Sequence, residues 1–236
     1  MKFVLTPELI LQAYRQGLFP MAYSAESKHI QWVCPEERGQ LSIEEIHIPK
    51  SLRKIIRKNL KSYKPAYEIR INTAFKDVIL ACGEATDERP QTWINDEIID
   101  LYCALHEQGH AHSVEYWHKA DNNQEPALMG GLYGLAIGGA FFGESMYSRY
   151  PNASKIALIH LVARLYKLGY SVLDTQFIND HLLQFGVYEL GHDDYMKRLH
   201  KALQLKAQPF ASLSSIKEEN KIIQDYLAMR KEQALP

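Results

Sequence analysis

The chain has 236 residues, of which 46% are hydrophobic and 23% charged, and its net charge is -1. This composition is typical of a folded protein of one or two domains, and it excludes disordered and fibrous classes. Because the net charge is close to zero, any contact with nucleic acid must come from a local basic patch. Three cysteines at irregular spacing argue against a disulfide framework, and no apolar run approaches the roughly 20 residues that span a bilayer. We therefore expect a cytoplasmic protein.

The first 45 residues are predicted to form a small N-terminal α/β domain. Thr6-Pro7-Glu8 combines a capping side chain with proline at the first helical position, which predicts a helix over residues 5–14. Residues 19–35 are rich in turn-forming and aromatic residues, which indicates an ordered loop or short strands. Alternating apolar residues over 41–48 then predict a strand. The remaining residues, 46–236, are predicted to form the larger domain.

Residues 49–64 predict a helix with one apolar and one strongly basic face. Leu52, Ile55, Ile56 and Leu60 recur at helical spacing. A charge run is usually a solvated face, yet cations without counter-ions repel each other and favour a polyanionic partner. The basic face therefore favours a nucleic-acid role. Its seven cations, with no acidic residue among them, are Lys50, Arg53, Lys54, Arg57, Lys58, Lys61 and Lys64.

The rest of the chain alternates between helices and strands without an internal repeat, which predicts an α/β or α+β fold with a mixed sheet. The stretch after Ser215 is charged and helical in pattern. The other predicted elements are a strand at 67–71, a helix near 73–82, a helix capped by Asn95 that ends near 108, a strand at 112–117, a glycine-rich strand pair over 128–142, a helix capped by Asn152 that ends at Gly169, a strand at 170–175 and a short helix near 179–185.

His106-Glu107-Gln108-Gly109-His110 fits the H-E-x-x-H zinc pattern literally. Zinc chemistry of that kind needs both histidines on one face of a continuous helix. Gly109 interrupts the helix, and residues 111–117 alternate as a strand, so His110 is predicted to lie beyond the helix end. The helix-terminus interpretation is therefore favoured over zinc, with His112 left open as a third ligand.

Two polar segments follow predicted strands. Glu144 lies directly after the glycine-rich pair, where the glycines indicate either a ligand-binding surface or bulges in a twisted sheet. Asp174-Thr175-Gln176 ends an apolar strand, a usual place for ligands, although the same residues can serve as a helix cap. Trp32, Trp93 and Trp117 can either stack on a base or pack in the core.

Together these segments resemble the leucyl/phenylalanyl-tRNA-protein transferases of bacteria, from near Leu5 to about Tyr195. Several long motifs in one order are more specific than any single short pattern. The matching segments are residues 13–20, Thr92-Trp93-Ile94, residues 105–115, residues 130–134, Gly143 to Arg149, Asn152-Ala153-Ser154-Lys155 and Asp174 to His181.

The resemblance implies an α+β fold with a small N-terminal domain and a larger domain like the GNAT acetyltransferases, although without acetyl-CoA. It implies transfer of leucine, phenylalanine or methionine from aminoacyl-tRNA to proteins that begin with Arg or Lys, which tags them for N-degron degradation. The resemblance implies no membrane partner. It also implies no cofactor or metal, because an aminoacyl ester is already activated and the enzyme mainly has to position the amine and manage protons.

The resemblance also implies residue roles. Asp174 is expected to orient and help deprotonate the incoming amine through Gln176, while Glu144 holds polar groups of the donor. Trp93, Asn179 and Ser145 are expected near the terminal adenosine, and the basic helix, through Lys50, Arg53, Lys54, Arg57, Lys58 and Lys61, on the phosphates of the acceptor stem. The expected aminoacyl pocket consists of Leu132, Phe141, Met146, Leu158, Leu165 and Met21.

One departure concerns Met21, which stands where the family usually has tryptophan and so changes the shape of the pocket. The competing interpretations are a zinc hydrolase built on His106 and His110 and a non-enzymatic RNA-binding module that uses the basic helix and the tryptophans. The preferred donor amino acid and the oligomeric state are left open by the sequence.

Overall fold

The computed structural model describes residues 5–27, 29–86, 90–119 and 125–232, with the side chains of 231 and 232 excepted. Within these ranges the chain forms helices α1 (Pro7–Arg15), α2 (Lys50–Lys61), α3 (Phe75–Gly83), α4 (Asp96–Glu107), α5 (Ala153–Leu168), α6 (Asp180–Leu183), α7 (His192–Leu203) and α8 (Ile216–Glu232). The strands are β1 (Phe19–Ala22), β2 (Ile30–Val33), β3 (Glu37–Leu41), β4 (Tyr67–Ile71), β5 (Ala111–His118), β6 (Ala127–Ile137), β7 (Ala140–Ser148), β8 (Val172–Gln176) and β9 (Tyr188–Gly191).

A mixed seven-stranded sheet in the order β4-β5-β6-β7-β8-β3-β9 forms the centre of the fold. Neighbouring strands are antiparallel except β7 and β8, which run parallel because α5 connects them as a crossover. Strands β1 and β2 form a separate antiparallel pair. The mixed α+β architecture expected from the alternating pattern is confirmed.

Helices cover both faces of the sheet and give it two cores. One core joins α2, α5 and α8 to inward-facing residues such as Ile69, Leu132 and Leu173. The other joins α1, α3, α4 and α7 to the opposite faces of the same strands, for example at Tyr133 and Phe142. Because α5 lies between the sheet and the outer helices, it is buried almost all round and lacks a polar face.

Most predicted elements are confirmed, but the segment after Leu41 differs. The strand predicted over 41–48 is wrong, because the chain turns after Leu41 and Ile43, Ile46 and Ile48 are buried in loop conformation. Their alternation reflects burial rather than strand pairing. Asn152 stands at the N-cap position of α5, but it adopts a left-handed conformation (φ 66°) and its side chain makes no capping hydrogen bond.

Strands β3 and β9 and helix α7 were not predicted. β3 reads Glu-Arg-Gly-Gln-Leu, too polar for an apolar-pattern search, yet it is buried from Arg38 to Leu41. Gly39 is required there, since a Cβ atom would lie 2.7 Å from Thr175 Oγ1 on the neighbouring strand. β3 pairs with β8 and β9, so the chain enters the large sheet from residue 37 onward. No helix in the described ranges is long and apolar enough to cross a membrane.

Candidate active site

A cavity opens where the parallel pairing of β7 and β8 stops. The pairing joins Ala140–Phe142 to Val172–Asp174 only, although the strands continue to Ser148 and Gln176. Glu144 and Gln176, each two residues beyond the last pair, both line a cavity of about 310 Å³. The full lining is Met21, Trp93, Leu132, Tyr133, Gly143, Glu144, Ser145, Met146, Leu158, Leu161, Leu173, Thr175, Gln176, Phe177, Asn179 and Leu182.

The expected aminoacyl pocket lies partly in this lining. Met21, Leu132, Met146 and Leu158 line the cavity, as do all three residues expected near the adenosine. Phe141 and Leu165 do not; both are fully buried in the core that joins α5 to the sheet. Asn179 has a second role, because its side chain accepts a hydrogen bond from Leu182 N and caps α6.

Asp174 lies behind the cavity wall in a buried polar cluster. Arg38 donates to both of its carboxylate oxygens, with Nε at 3.0 Å from Oδ1 and Nη2 at 2.9 Å from Oδ2. Tyr195 donates its hydroxyl to Oδ2 at 2.7 Å. The third guanidinium nitrogen of Arg38, Nη1, donates to the carbonyl oxygen of Gly17 at 2.8 Å. The charge of Asp174 is therefore neutralised inside the protein, which is what makes its complete burial tolerable.

Gln176 links this cluster to the cavity. Its backbone N–H donates to Asp174 Oδ1 at 2.8 Å, and its side-chain Nε2 donates to Glu144 Oε1 at 3.0 Å. Its φ of 63° lies in the left-handed region that residues other than glycine rarely adopt. Such a conformation persists only when the surroundings hold it, and the bond to Asp174 does so. Asp174 thus fixes the backbone of Gln176, from which the side-chain amide extends to Glu144.

Glu144 differs from Asp174 because no cation of the described residues pairs with it. Tyr14 donates its hydroxyl to Glu144 Oε1 at 2.6 Å and also contacts the hydroxyl of Tyr102 at 2.6 Å. Glu144 Oε2 is buried and has no hydrogen-bond partner among the described residues. Burial raises the pKa of the Glu144 carboxyl from about 4.5 to about 7, although the hydrogen bonds from Tyr14 and Gln176 lower it in part. This carboxyl is therefore able to exchange a proton near neutral pH.

The basic face of α2 forms a separate surface. All six cations expected to contact tRNA line one shallow depression of about 460 Å³. Within the part of the chain that the structure describes, none of them pairs with an acidic side chain, whereas Lys197 and Lys221 elsewhere do. Burial, together with the neighbouring Arg57 and Arg230, lowers the pKa of Arg53. These cations repel one another and attract an anionic partner.

The zinc-like string lies at a helix end, as predicted. α4 ends at Glu107, Gly109 adopts φ 79°, and His110 follows outside the helix. Nδ1 of His106 hydrogen-bonds the carbonyl oxygen of Ala111 at 2.8 Å, which ties the helix end to β5. In the described ranges, no three His, Cys, Asp or Glu side chains cluster as metal ligands would.

Sequence reasoning missed three residues of the site, namely Arg38, Tyr14 and Tyr195. Tyr14 and Tyr195 were not predicted as site residues, and both are fully buried. Arg38 lies in a short polar segment, which gives no signal in the sequence of a buried strand. The pairing of β3 with β8 sets Gln40 opposite Asp174 and so brings the side chain of Arg38 to that carboxylate.

The fold and the site together define an α+β protein with a cavity in which an apolar lining lies beside a carboxyl and an amide. Residues 40–200 match the sequence profile of leucyl/phenylalanyl-tRNA protein transferases, and residues 4–36 match the profile of their N-terminal domain. The chain therefore belongs to the leucyl/phenylalanyl-tRNA protein transferase family.

Similar proteins carry the same description. Leucyl/phenylalanyl-tRNA–protein transferase of Paramagnetospirillum magneticum is 52% identical over 199 residues, which cover 84% of this chain and 90% of the relative. The protein of the same name from Hyphomonas neptunium is 50% identical, with 85% and 73% covered. That from Phenylobacterium zucineum is 46% identical, with 86% of each chain covered.

Proposed function

We propose that the chain transfers leucine, phenylalanine or methionine from aminoacyl-tRNA to the N-terminus of proteins that begin with Arg or Lys, and so tags them for N-degron degradation. The observation that carries this proposal is the cavity between β7 and β8, where an apolar lining meets the Glu144–Gln176 pair. An apolar side chain fits such a lining, and a reacting amine and ester fit beside the two polar groups.

The reaction is a substitution at the aminoacyl ester. The α-amine nitrogen of the acceptor protein attacks the ester carbonyl carbon, the new C–N bond forms, and the bond from that carbon to the ribose oxygen breaks. The nitrogen loses a proton and the ribose oxygen gains one, so the step is balanced without a redox partner. Because the ester is already activated, we propose that neither a cofactor nor a metal takes part.

We propose three distinct roles for the polar residues. Asp174 is a positioning residue that acts through the backbone N–H of Gln176. Gln176 presents its side-chain oxygen to the incoming amine, since its Nε2 is already engaged by Glu144. Glu144, with a pKa raised by burial to about 7, accepts the proton of an amine whose own pKa is about 8. Close matching of the two values makes this proton transfer nearly neutral in free energy.

The donor is held at its two ends. Leu132, Met146, Leu158 and Met21 contribute the apolar lining that we propose for the aminoacyl side chain. Trp93, Ser145 and Asn179 line the same cavity and are proposed to contact the terminal adenosine, with Trp93 as its stacking surface. The basic face of α2 is proposed to hold phosphates of the acceptor stem, a contact that carries no sequence information and so admits several tRNAs.

Three further proposals concern the fold family, the domain boundary and the location of the protein. The parallel β7–β8 pair that separates around a binding cavity is consistent with a GNAT-like arrangement of the larger domain. A division near residue 45 is proposed as before, with β3 reaching across into the large sheet. The proposed substrates, tRNA and proteins with new N-termini, are consistent with a cytoplasmic location.

The test is transfer of labelled leucine from leucyl-tRNA to a peptide that begins with Arg, with an otherwise identical Asp-initiated peptide as the control. Labelling of the Arg peptide alone is the expected result. Labelling of the Asp peptide would contradict the proposed acceptor class. Binding of tRNA without any labelled product would leave the chain as an RNA-binding module, and the enzymatic proposal would fail.

A further inference from the structure

A second cavity, of about 470 Å³, lies between the end of α2, strands β4 and β5 and the start of α5. It is separate from the aminoacyl cavity, with which it shares no lining residue. Its volume lies in the range of small-molecule sites and can hold one nucleotide. Two features of its lining indicate what it binds, namely a column of aromatic rings and a basic rim.

Three tyrosines form the aromatic side of this cavity. Tyr67 and Tyr116 are stacked with ring centroids 4.6 Å apart, and Tyr150 continues the column at 6.1 Å from Tyr116. His118 stacks on Tyr150 at 4.1 Å and fixes the orientation of that ring. Tyr150 is 38% exposed, so its ring is accessible from solvent. Flat, partly exposed rings of this kind are typical stacking surfaces for unpaired bases.

The hydroxyls of Tyr67 and Tyr116 add hydrogen-bonding capacity to the cavity wall. The two side chains are only 4% and 2% exposed, and both line the cavity. Neither hydroxyl hydrogen-bonds a described residue, and neither belongs to the buried side-chain atoms that lack a partner, so both hydroxyls face open space. Each can donate and accept there. The polar edge of a base can therefore hydrogen-bond them.

The rim connects this cavity to the basic face. Lys58 lines both the cavity and the depression on α2, and Lys64 adds a second cation. Asn59 donates to the carbonyl oxygen of Tyr67 at 3.0 Å, which fixes the end of α2 against the aromatic column. Helix α5 contributes to both cavities. Ile156 lines this one, and Leu158, two residues further along the helix, lines the aminoacyl cavity.

We infer that the second cavity binds an unpaired base of the RNA strand that joins the phosphates on α2 to the aminoacyl end in the first cavity. The base stacks at Tyr150, its edge reaches the hydroxyls of Tyr67 and Tyr116, and its phosphate lies at Lys58 and Lys64. This inference rests on the proposed function, which supplies an RNA with single-stranded nucleotides next to a duplex stem.

The test compares the affinity of the full chain for two acceptor-stem RNAs, one with its unpaired 3′ nucleotides and one blunt-ended. Tyr150→Ala should weaken binding of the first by about 5- to 100-fold, the contribution of one stacked base, and that of the blunt duplex by less than about twofold. Tyr150→Phe keeps the ring and should bind the first RNA within about twofold of the wild type. Tyr166→Ala, at an exposed tyrosine of α5 that does not line the cavity, is the control.

A second variant makes the test independent of the aromatic column. Lys64 is exposed, so Lys64→Gln leaves the core intact, and it should also weaken only the RNA with unpaired nucleotides. Equal losses for both RNAs, no loss with Tyr150→Ala, or a raised KM for the acceptor peptide with unchanged RNA affinity would each overturn the inference. Wild-type transfer from leucyl-adenosine, which lacks the rest of the RNA, tests the proposed function separately.

Discussion

The two carboxylates of the site lie on neighbouring strands, but they have opposite surroundings. Asp174, behind the cavity wall, is bound by Arg38, Tyr195 and a backbone N–H, so its charge is compensated within the protein. Glu144, at the cavity, receives hydrogen bonds from Tyr14 and Gln176 but forms no ion pair within the part of the chain that the structure describes. A few residues of β3 make the difference, because they bring Arg38 to one carboxylate and not to the other.

We propose that the compensated charges support the fold and that the uncompensated charges contact the substrate. The buried Glu219, which pairs with Arg164 and His160, belongs with Asp174 in the first group. The cations of α2 belong with Glu144 in the second, since no described acid pairs with them. Four sets of substitutions test this difference.

The largest effect is expected from removing the cation of the compensated pair. Arg38→Met leaves the buried Asp174 without a compensating cation, with hydrogen bonds only from Tyr195 and the Gln176 backbone, which should lower the free energy of unfolding by about 3–5 kcal/mol. Urea unfolding followed by circular dichroism measures it. Adding Asp174→Asn should recover part of the loss, because the uncompensated charge is then gone. A loss below about 1 kcal/mol for Arg38→Met would show that Asp174 is not held by this pair.

The next effect concerns the uncompensated carboxyl and depends on pH. Because the folded-state pKa of Glu144 is raised from about 4.5 to about 7, the folded protein loses stability as pH rises between these values. Glu144→Gln removes that loss, so its stability relative to the wild type should increase by about 2–3 kcal/mol from pH 5 to pH 8. Unfolding curves at both pH values measure the change. Parallel behaviour of the two proteins would mean that the Glu144 pKa is ordinary.

The cations of α2 offer a third, smaller effect on the substrate side. Replacing Lys54, Arg57 and Lys61 by glutamine removes three of the proposed phosphate contacts, which should reduce the slope of log affinity for tRNA against log salt by about 3. Replacing Lys197 and Lys221, which pair with acids, is the control and should leave the slope unchanged. An equal change in both sets would show that α2 acts only through net charge.

The smallest expected effect tests the apolar lining. Met21→Trp adds volume to the cavity wall, so transfer of phenylalanine should fall relative to leucine by about 1 kcal/mol in the ratio of kcat/KM values. Met21→Leu, of similar size, should leave the ratio unchanged. A ratio that does not respond to Met21→Trp would place the aminoacyl side chain elsewhere in the cavity.

Sequence alone predicted the helices and strands with strong apolar periodicity and the positions of Asp174 and Gln176 near the end of a strand. The prediction that Glu144 follows its strand is wrong, because β7 continues to Ser148 and Glu144 lies inside it. It could not predict β3, because a strand that reads Glu-Arg-Gly-Gln-Leu owes its burial to partners distant in the chain. For the same reason Arg38, the residue that distinguishes the two carboxylates, was not identified. The sequence also could not show that Phe141 and Leu165 lie in the core rather than at the cavity, since both sides of α5 and of the sheet are apolar.

The most direct test of the proposed division between the two carboxylates is the pH dependence of kcat/KM for an Arg-initiated peptide, corrected for titration of the peptide's own amine. The wild type should gain activity as pH rises through about 7, where Glu144 ionises. Glu144→Gln should lose that inflection, and Tyr14→Phe should move it to higher pH, because the lost hydrogen bond favoured the charged carboxylate. An inflection near 7 that persists in Glu144→Gln would contradict the role of Glu144 as proton acceptor.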